Sequence, residues 1–278
     1  MNRFLGLLAT LVFLASCAVA PVTGDLAKVP VKSELSACVD SLKNSEQNHS
    51  KALDADGFSL LNWNIKKAKH PEWPSDLERL GTTASLVTLQ EAVPDLPVSR
   101  KFGRLHWSFA EGFGFRDNLT GVMTLSDVRP IAACQFAELE PVFRTRKATL
   151  VTNYPISGID ETLLVINLHG VNFSMGLGAL ETQLDEASHI ISSHIGPVIV
   201  SGDFNTWRRG RHSLVEDLMA AHELSPVEFE EDHRKRFMGW PLDHILVRGL
   251  EATQATTHEL DSSDHNPMYV RLVLSNDS

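Results

Sequence analysis

From Phe58 onward the chain is written as short apolar runs, each closed by turn residues and separated by polar stretches. Runs of this length, rich in Val, Leu, Ile and Phe, predict strands over 58–65, 86–90, 121–125, 128–136, 148–152, 163–168, 198–201, 244–247 and 268–274. Between them the period changes. Leu177, Leu180, Leu184, Ala187, Ile190 and Ile191 recur at helical spacing, which predicts a helix over 176–194, and shorter ones are expected over 75–80 and 212–221. Some strands are separated by helices and others only by turns. That mixture suits two packed sheets with helices outside better than a doubly wound parallel sheet.

Upstream of Phe58 the pattern fades. Residues 18–57 are rich in Ser, Asn, Lys, Asp and Glu, and read as a polar tether in which 31–42 can make at most a short helix. The start is different again. Met1-Asn2-Arg3 is followed by an almost wholly apolar stretch over 4–15, too short to span a bilayer but suited to an export signal. It ends in Leu14-Ala15-Ser16-Cys17, which resembles a bacterial lipobox. On that reading 1–17 is a signal, Cys17 is lipidated and anchors the chain to a membrane at the periplasmic face of the cell envelope. An ordinary secretory signal cleaved near Ala18-Val19-Ala20 is the alternative. Cys38 and Cys134 would remain, either bridged or as two free thiols.

Composition narrows the function. The chain has 278 residues, 43% hydrophobic and 22% charged, enough for one large domain over 58–278. Its net charge of −10 repels polyanions at long range, so a phosphate-bearing substrate must be met by local basic groups or a bound cation.

Polar residues recur where the apolar strands end. Asn64 closes the first, Glu91 follows the second, His169 caps 163–168, and Asp203 and Asn205 follow 198–201. Asp243 precedes the strand at 244–247, and Asp264 and His265 precede the last. Each alone reads equally well as a cap or a surface turn. Several strands ending this way at once point to a shared site, because buried polar ends are costly unless they meet a metal or one another.

The ordered series Trp63-Asn64-Ile65, Leu89-Gln90-Glu91, Asn167-Leu168-His169, Gly202-Asp203-Phe204-Asn205, Leu242-Asp243-His244-Ile245 and Ser263-Asp264-His265-Asn266-Pro267 resembles the endonuclease/exonuclease/phosphatase superfamily across 58–273. Gly121-Val122-Met123-Thr124 and Val171-Asn172-Phe173-Ser174 are most similar to its YafD-like bacterial branch. The resemblance implies a four-layer α/β/β/α sandwich, DNase I-like, with the site at one mouth of the sheets. It further implies that Asn64, Glu91 and Asp264 serve a catalytic Mg²⁺ or Mn²⁺. Asp203 would orient or deprotonate the attacking water, Asn205 would hold the phosphate, and Asp243 would orient a charged His265. His169 would contact the phosphate or protonate the leaving oxygen. The chemistry agrees: Mg²⁺ takes oxygen ligands and few carboxylates. The histidines show no His-Glu-x-x-His spacing, which argues against zinc.

Arg146, Arg208 and Arg209 are weaker candidates for substrate phosphate, since solvated basic loops look the same in sequence. Arg211 and the group Arg234, Lys235 and Arg236 are similar in kind. Trp207 is expected to pack under its loop rather than to stack on a base. The resulting expectation is a monomeric metal-dependent hydrolase of phosphodiester or phosphate-ester bonds, foremost a nuclease or phosphodiesterase outside the cytoplasm. A phospholipase C or sphingomyelinase-like reaction is the alternative, although no aromatic-rich hairpin for lipid insertion stands out. An inactive phosphate-binding lipoprotein is a further one, disfavoured because a binding module has no need of the whole set.

Overall fold

The computed structural model describes residues 31–43, 51–94, 106–115 and 118–275, so the export signal and Cys17 lie outside the described residues. In chain order the elements begin with β1 (Val31–Lys32), α1 (Leu35–Lys43), β2 (Phe58–Asn64), α2 (Trp73–Gly81), β3 (Leu86–Ala92), β4 (His106–Phe115), β5 (Asn118–Ser126) and β6 (Ala132–Leu139). They continue with β7 (Arg146–Pro155), β8 (Thr162–His169), α3 (Gly178–Ser192), β9 (Val198–Asp203), α4 (Arg209–His222) and β10 (Ser225–Pro226). The last are β11 (Arg236–Phe237), β12 (Trp240–Pro241), β13 (Asp243–Arg248), β14 (Leu250–Thr257) and β15 (Met268–Leu274).

Seven strands form one sheet in the order β1-β6-β7-β8-β9-β13-β10, and six form another in the order β14-β15-β2-β3-β5-β4. The centre of each holds one parallel pair, β8 with β9 and β2 with β3, flanked by antiparallel neighbours. Strand alternation sends successive side chains to opposite faces. Leu164, Ile166 and Leu168 of β8 go outward, under Leu180, Leu184 and Ile191 of α3 and Val215 and Leu218 of α4. Leu61 and Trp63 of β2 go outward on the other side, under Trp73, Leu77 and Leu80 of α2. The intervening positions meet between the sheets. The result is the four-layer α/β/β/α sandwich.

The space between the sheets changes character along its length. At one end Phe58 and Leu60, Leu163 and Val165, Ile199, and Ile245 and Val247 make an apolar cluster. Two residues further along β2, β8 and β9 the groups become polar, while β13 stays apolar at Ile245, opposite Ser201. Thr88 donates to Asn62 (2.9 Å) and lies 3.0 Å from the Ser201 hydroxyl, while the Gln90 amide donates to Asn62 (2.9 Å) and Asn167 (2.7 Å). Another two residues on come Asn64, His169, Asp203 and Asp243. The strands therefore lead from a carbon-filled end, through a buried amide network, to a mouth lined by ionisable groups.

Several expectations need correction. Part of the segment read as a tether is packed against the domain: β1 pairs with β6, and Cys38, Leu42 and Leu53 are buried. Cys38 and Cys134 are bridged, with Cα atoms 5.6 Å apart, so the two are not free thiols. The strand expected from 128 begins at Ala132, because Pro130 has no N–H to give a sheet and Val128 instead bonds the Ser126 hydroxyl. β4 and β14 were not expected. Both are terminal strands of their sheet, and β14 keeps Glu251, Thr253 and Gln254 in solvent, which leaves little apolar signal.

Candidate active site

The mouth of the sandwich opens into a cavity of about 640 Å³. Every catalytic or metal candidate except the buried Asp243 lines it: Asn64, Glu91, His169, Asp203, Asn205, Asp264 and His265. Asp243 stands directly behind, because β13 pairs antiparallel with β9 in a register that sets Asp243 opposite Asp203.

Hydrogen bonds join these groups. Asn64 donates to Asp203 Oδ2 (3.0 Å), and the Asn205 backbone N–H donates to Asp203 Oδ1 (3.0 Å). His265 donates through Nδ1 to Asp243 Oδ2 (2.8 Å), and its Nε2 lies 3.8 Å from Asp203 Oδ2. The loop carrying His265 is tied to β2 twice: the Trp63 indole donates to the His265 carbonyl (2.9 Å), and the Ser263 hydroxyl to the Asn64 carbonyl (2.6 Å). Left-handed backbone at non-glycine residues is costly, and two of the candidates adopt it. Glu91 and Asn205 have φ of 52° and 54°, left-handed values that Asn tolerates better than Glu. Glu91 follows an irregularity in the β3–β5 pairing after Leu89, and such strain gathers at working sites. Gly202 is required, since a Cβ there would meet the Leu168 carbonyl of the neighbouring strand.

Protonation follows from burial and neighbours. Burial alone would lower His265, but the Asp243 and Asp203 carboxylates outweigh it and push the imidazole up to about 10, so it is charged. Burial raises the Asp203 carboxyl, with the His265 charge pulling the other way. Burial, then the charges of Lys147 and His265, holds His169 well below its usual value, so it stands neutral. Its Nε2 accepts from the Lys147 ammonium at 2.7 Å, and the same nitrogen lies 3.6 Å from Asp203 and 4.0 Å from Glu91. Burial in turn lowers the Lys147 ammonium.

The basic candidates divide. Arg146 lines the cavity, together with Lys67, Lys147 and Lys235. Arg208 and Arg209 are not among the lining residues. Arg208 donates to the carbonyls of Met175 (2.7 Å) and Gly176 (3.2 Å), and Arg209 opens α4. Fully buried Arg211 props the site from behind, donating to the carbonyls of Asn205 (2.7 Å) and Val171. Arg234 and Arg236 are bound to Asp232. Trp207 packs under its loop as expected, edge-on to Phe237 with the Arg208 and Arg211 guanidinium groups over its ring. Lys147 was missed because it merely follows Arg146 in a strand, and no spacing marks it out. The aromatic signal was missed too. Phe143, in the turn between β6 and β7, meets Phe173, in the loop after β8, at 4.9 Å between ring centroids.

Asp203, Asp243 and His265 bring one ligand atom each within 4.8 Å of one another, a group that can hold a metal ion. Nδ1 of His265 is spent on Asp243, so within that group the ring offers only Nε2. Glu91, Asn64 and Asp264 line the same cavity and carry the oxygen donors a hard divalent cation takes; Asn64 Oδ1 accepts the Lys66 N–H (3.1 Å) and Asp264 pairs with the Lys66 ammonium (3.5 Å).

Residues 61–265 match the Endonuclease/Exonuclease/phosphatase family. A UPF0294 protein of Vibrio vulnificus is 35% identical over 258 residues, covering 90% of each chain. A UPF0294 protein of Yersinia pseudotuberculosis is 40% identical over 219 residues, 78% of this chain and 84% of its own. Among solved structures, the human Nocturnin catalytic domain with bound sulfate superposes with a TM-score of 0.59 at 15% identity, over 81% of this chain and 97% of that one. ANGEL2, a 2',3'-cyclic phosphatase, gives 0.57 at 13% identity, over 82% and 97%. At these identities the superpositions show a shared fold.

Proposed function

This chain belongs to the endonuclease/exonuclease/phosphatase family, whose members are hydrolases of phosphoester bonds, and from that premise we propose a divalent-metal-dependent phosphodiesterase acting as a nuclease outside the cytoplasm. The observation that carries it is the buried line Asp243–His265–Asp203, joined by one hydrogen bond (2.8 Å) and one ion-pair contact (3.8 Å) and opening on a cavity to which Lys67, Arg146, Lys147 and Lys235 contribute. Phosphodiester cleavage asks a protein to place an attacking water and to neutralise charge on the phosphoryl group.

Asp203 takes the proton of that water. Its raised carboxyl is a stronger base than an exposed one, and bonds from Asn64 and the Asn205 N–H fix its direction. His265, kept charged by Asp243, stabilises the phosphoryl oxygens as negative charge grows. Lys147, positioned by neutral His169, does so from the other side. Asn205 and Arg146 line the cavity where substrate phosphate is held. Glu91, Asn64 and Asp264 would hold Mg²⁺ or Mn²⁺, which supplies Lewis-acid polarisation of the phosphate when bound. The apolar run at 4–15 and the lipobox-like Leu14-Ala15-Ser16-Cys17 support export with a lipid anchor on a membrane. The Cys38–Cys134 bridge supports it, since disulfides persist in oxidising compartments. A phospholipase C-like substrate keeps the same chemistry, and exposed Val142 and Met175 beside the two phenylalanines favour it as the second reading.

The test is turnover by the full chain on single- and double-stranded DNA, RNA, sphingomyelin and bis-p-nitrophenyl phosphate, each with Mg²⁺, Mn²⁺ or EDTA. Cleavage of nucleic acid, abolished by EDTA and by His265→Ala, is the expected result. Full activity in EDTA, or in His265→Ala, would overturn the mechanism.

A further inference from the structure

Resting on the phosphodiesterase reading, we propose that Phe143 and Phe173 form a base-stacking subsite at the cavity rim, and that the substrate is a single-stranded nucleic acid or nucleotide phosphodiester with an unstacked base. The two rings are left open to solvent, 62% and 52% exposed, although they touch edge to face. Their own contact covers little of either, and each keeps apolar area in water that a ligand can cover.

The pair is held in place by a buried acid. Glu140, 1% exposed, accepts the backbone N–H groups of Asn172 (3.1 Å) and Phe173 (2.9 Å), and its other oxygen accepts the Thr145 hydroxyl. The turn bearing Phe143 is closed by backbone bonds between Glu140 and Thr145 (2.8 Å) and between Arg144 and Glu140 (2.9 Å). One carboxylate thus pins the Phe143 turn and the Phe173 loop together, at the expense of taking a charge out of water. Fixing two exposed rings in advance removes the ordering cost of binding at that spot.

Both rings line the cavity that holds Asp203 and His265, and Lys67 and Arg146 line it too. A ring to cover and phosphates to neutralise are the two halves of a nucleotide. The cavity of about 640 Å³ lies within the ordinary range for small-ligand sites, roughly 300–1,000 Å³. A base inside a duplex has both faces covered already, whereas an unstacked base offers a face to an aromatic ring.

The experiment compares, for the full chain in Mg²⁺, kcat/KM on a single-stranded oligonucleotide and on an abasic chain of the same length and phosphate number. Stacking on an aromatic contributes about 1–3 kcal/mol per base, so the wild type should prefer the base-bearing strand by about 5- to 150-fold. Phe143→Leu and Phe173→Leu keep apolar bulk but lose the aromatic face, and their double variant should bring the ratio to about one. Phe143→Trp should retain the preference, and thermal melting shows whether each variant is folded. Equal wild-type rates on the two strands overturn the subsite alone. So does an unchanged ratio in the folded double variant, and so does a loss of binding to phosphatidylglycerol vesicles with the ratio untouched, which would assign the rings to a lipid surface. No metal-dependent cleavage of either strand or of bis-p-nitrophenyl phosphate overturns the phosphodiesterase reading itself.

Discussion

The two ends of the space between the sheets are built from the same strands and the same alternation, yet they do opposite work. At one end Leu60, Val165, Ile199 and Ile245 close carbon against carbon, and removing them from water holds the sheets together. At the other, two residue pairs further along the same strands, Asn64 brings an amide and His169 and Asp203 bring ionisable groups into a space almost as buried. That end is destabilising in itself: burial raises one carboxyl, depresses one imidazole, and leaves Asp243 Oδ1 without a hydrogen-bond partner among the described residues. The reactive mouth can persist in a folded protein because the far end is apolar and holds the sheets together.

The largest expected effect comes from the polar end. Asp203→Asn should lower kcat by on the order of 10³-fold, as loss of a general base does, while the thermal midpoint holds or rises. A melting temperature lowered by several degrees would break the claim that this end contributes function rather than stability. Next comes the apolar end. Leu60→Ala should cost about 2–5 kcal/mol in denaturant unfolding through lost burial and a residual cavity. Turnover by the protein that remains folded should stay within about twofold of wild type. A large loss of kcat would mean that the two ends are not separable. The smallest effect sharpens the comparison at the surface behind the mouth, where Arg234 bonds both Asp232 and the Asp243 carbonyl. Burial by itself would raise Asp232, but the bonds and charge of Arg234 outweigh it and bring the carboxyl down to about 2 from 3.8. A depressed carboxyl contributes stability that is present above its unfolded value and lost as pH falls through the folded one. Asp232→Asn should therefore be slightly less stable than wild type at pH 6, and the two should converge between pH 4 and 2. A gap that persists at pH 2 would show that the charge is not the cause.

Much of this was legible in the sequence because strand ends announce themselves. An acid or amide after a run of Leu, Ile and Val is conspicuous, and Asn64, Glu91, His169, Asp203, Asn205 and His265 all reach one cavity. The central strands were legible for the same reason, being apolar on both faces. What escaped depends on pairings that sequence spacing does not encode. Lys147 gains its place only when β7 lies beside β8, Phe143 and Phe173 meet only because two loops are pinned by Glu140, and Cys38 finds Cys134 across 96 residues. Arg208 illustrates the reverse error. Its position after Asn205 suggested phosphate, but the loop turns it back onto the Met175 and Gly176 carbonyls.

The cystine has a consequence for the sheet as a whole. Without Val31 and Lys32 the sheet would have six strands, and β6, as the last of them, would offer a row of unpaired amides and carbonyls to any passing chain. Two residues make a feeble shutter on their own. α1 follows them immediately and is bolted through Cys38 to Cys134 on β6 itself, so the shutter cannot swing away while that bolt is drawn. A covalent bond at the periphery thus fixes in place the short strand that covers the start of the β6 edge.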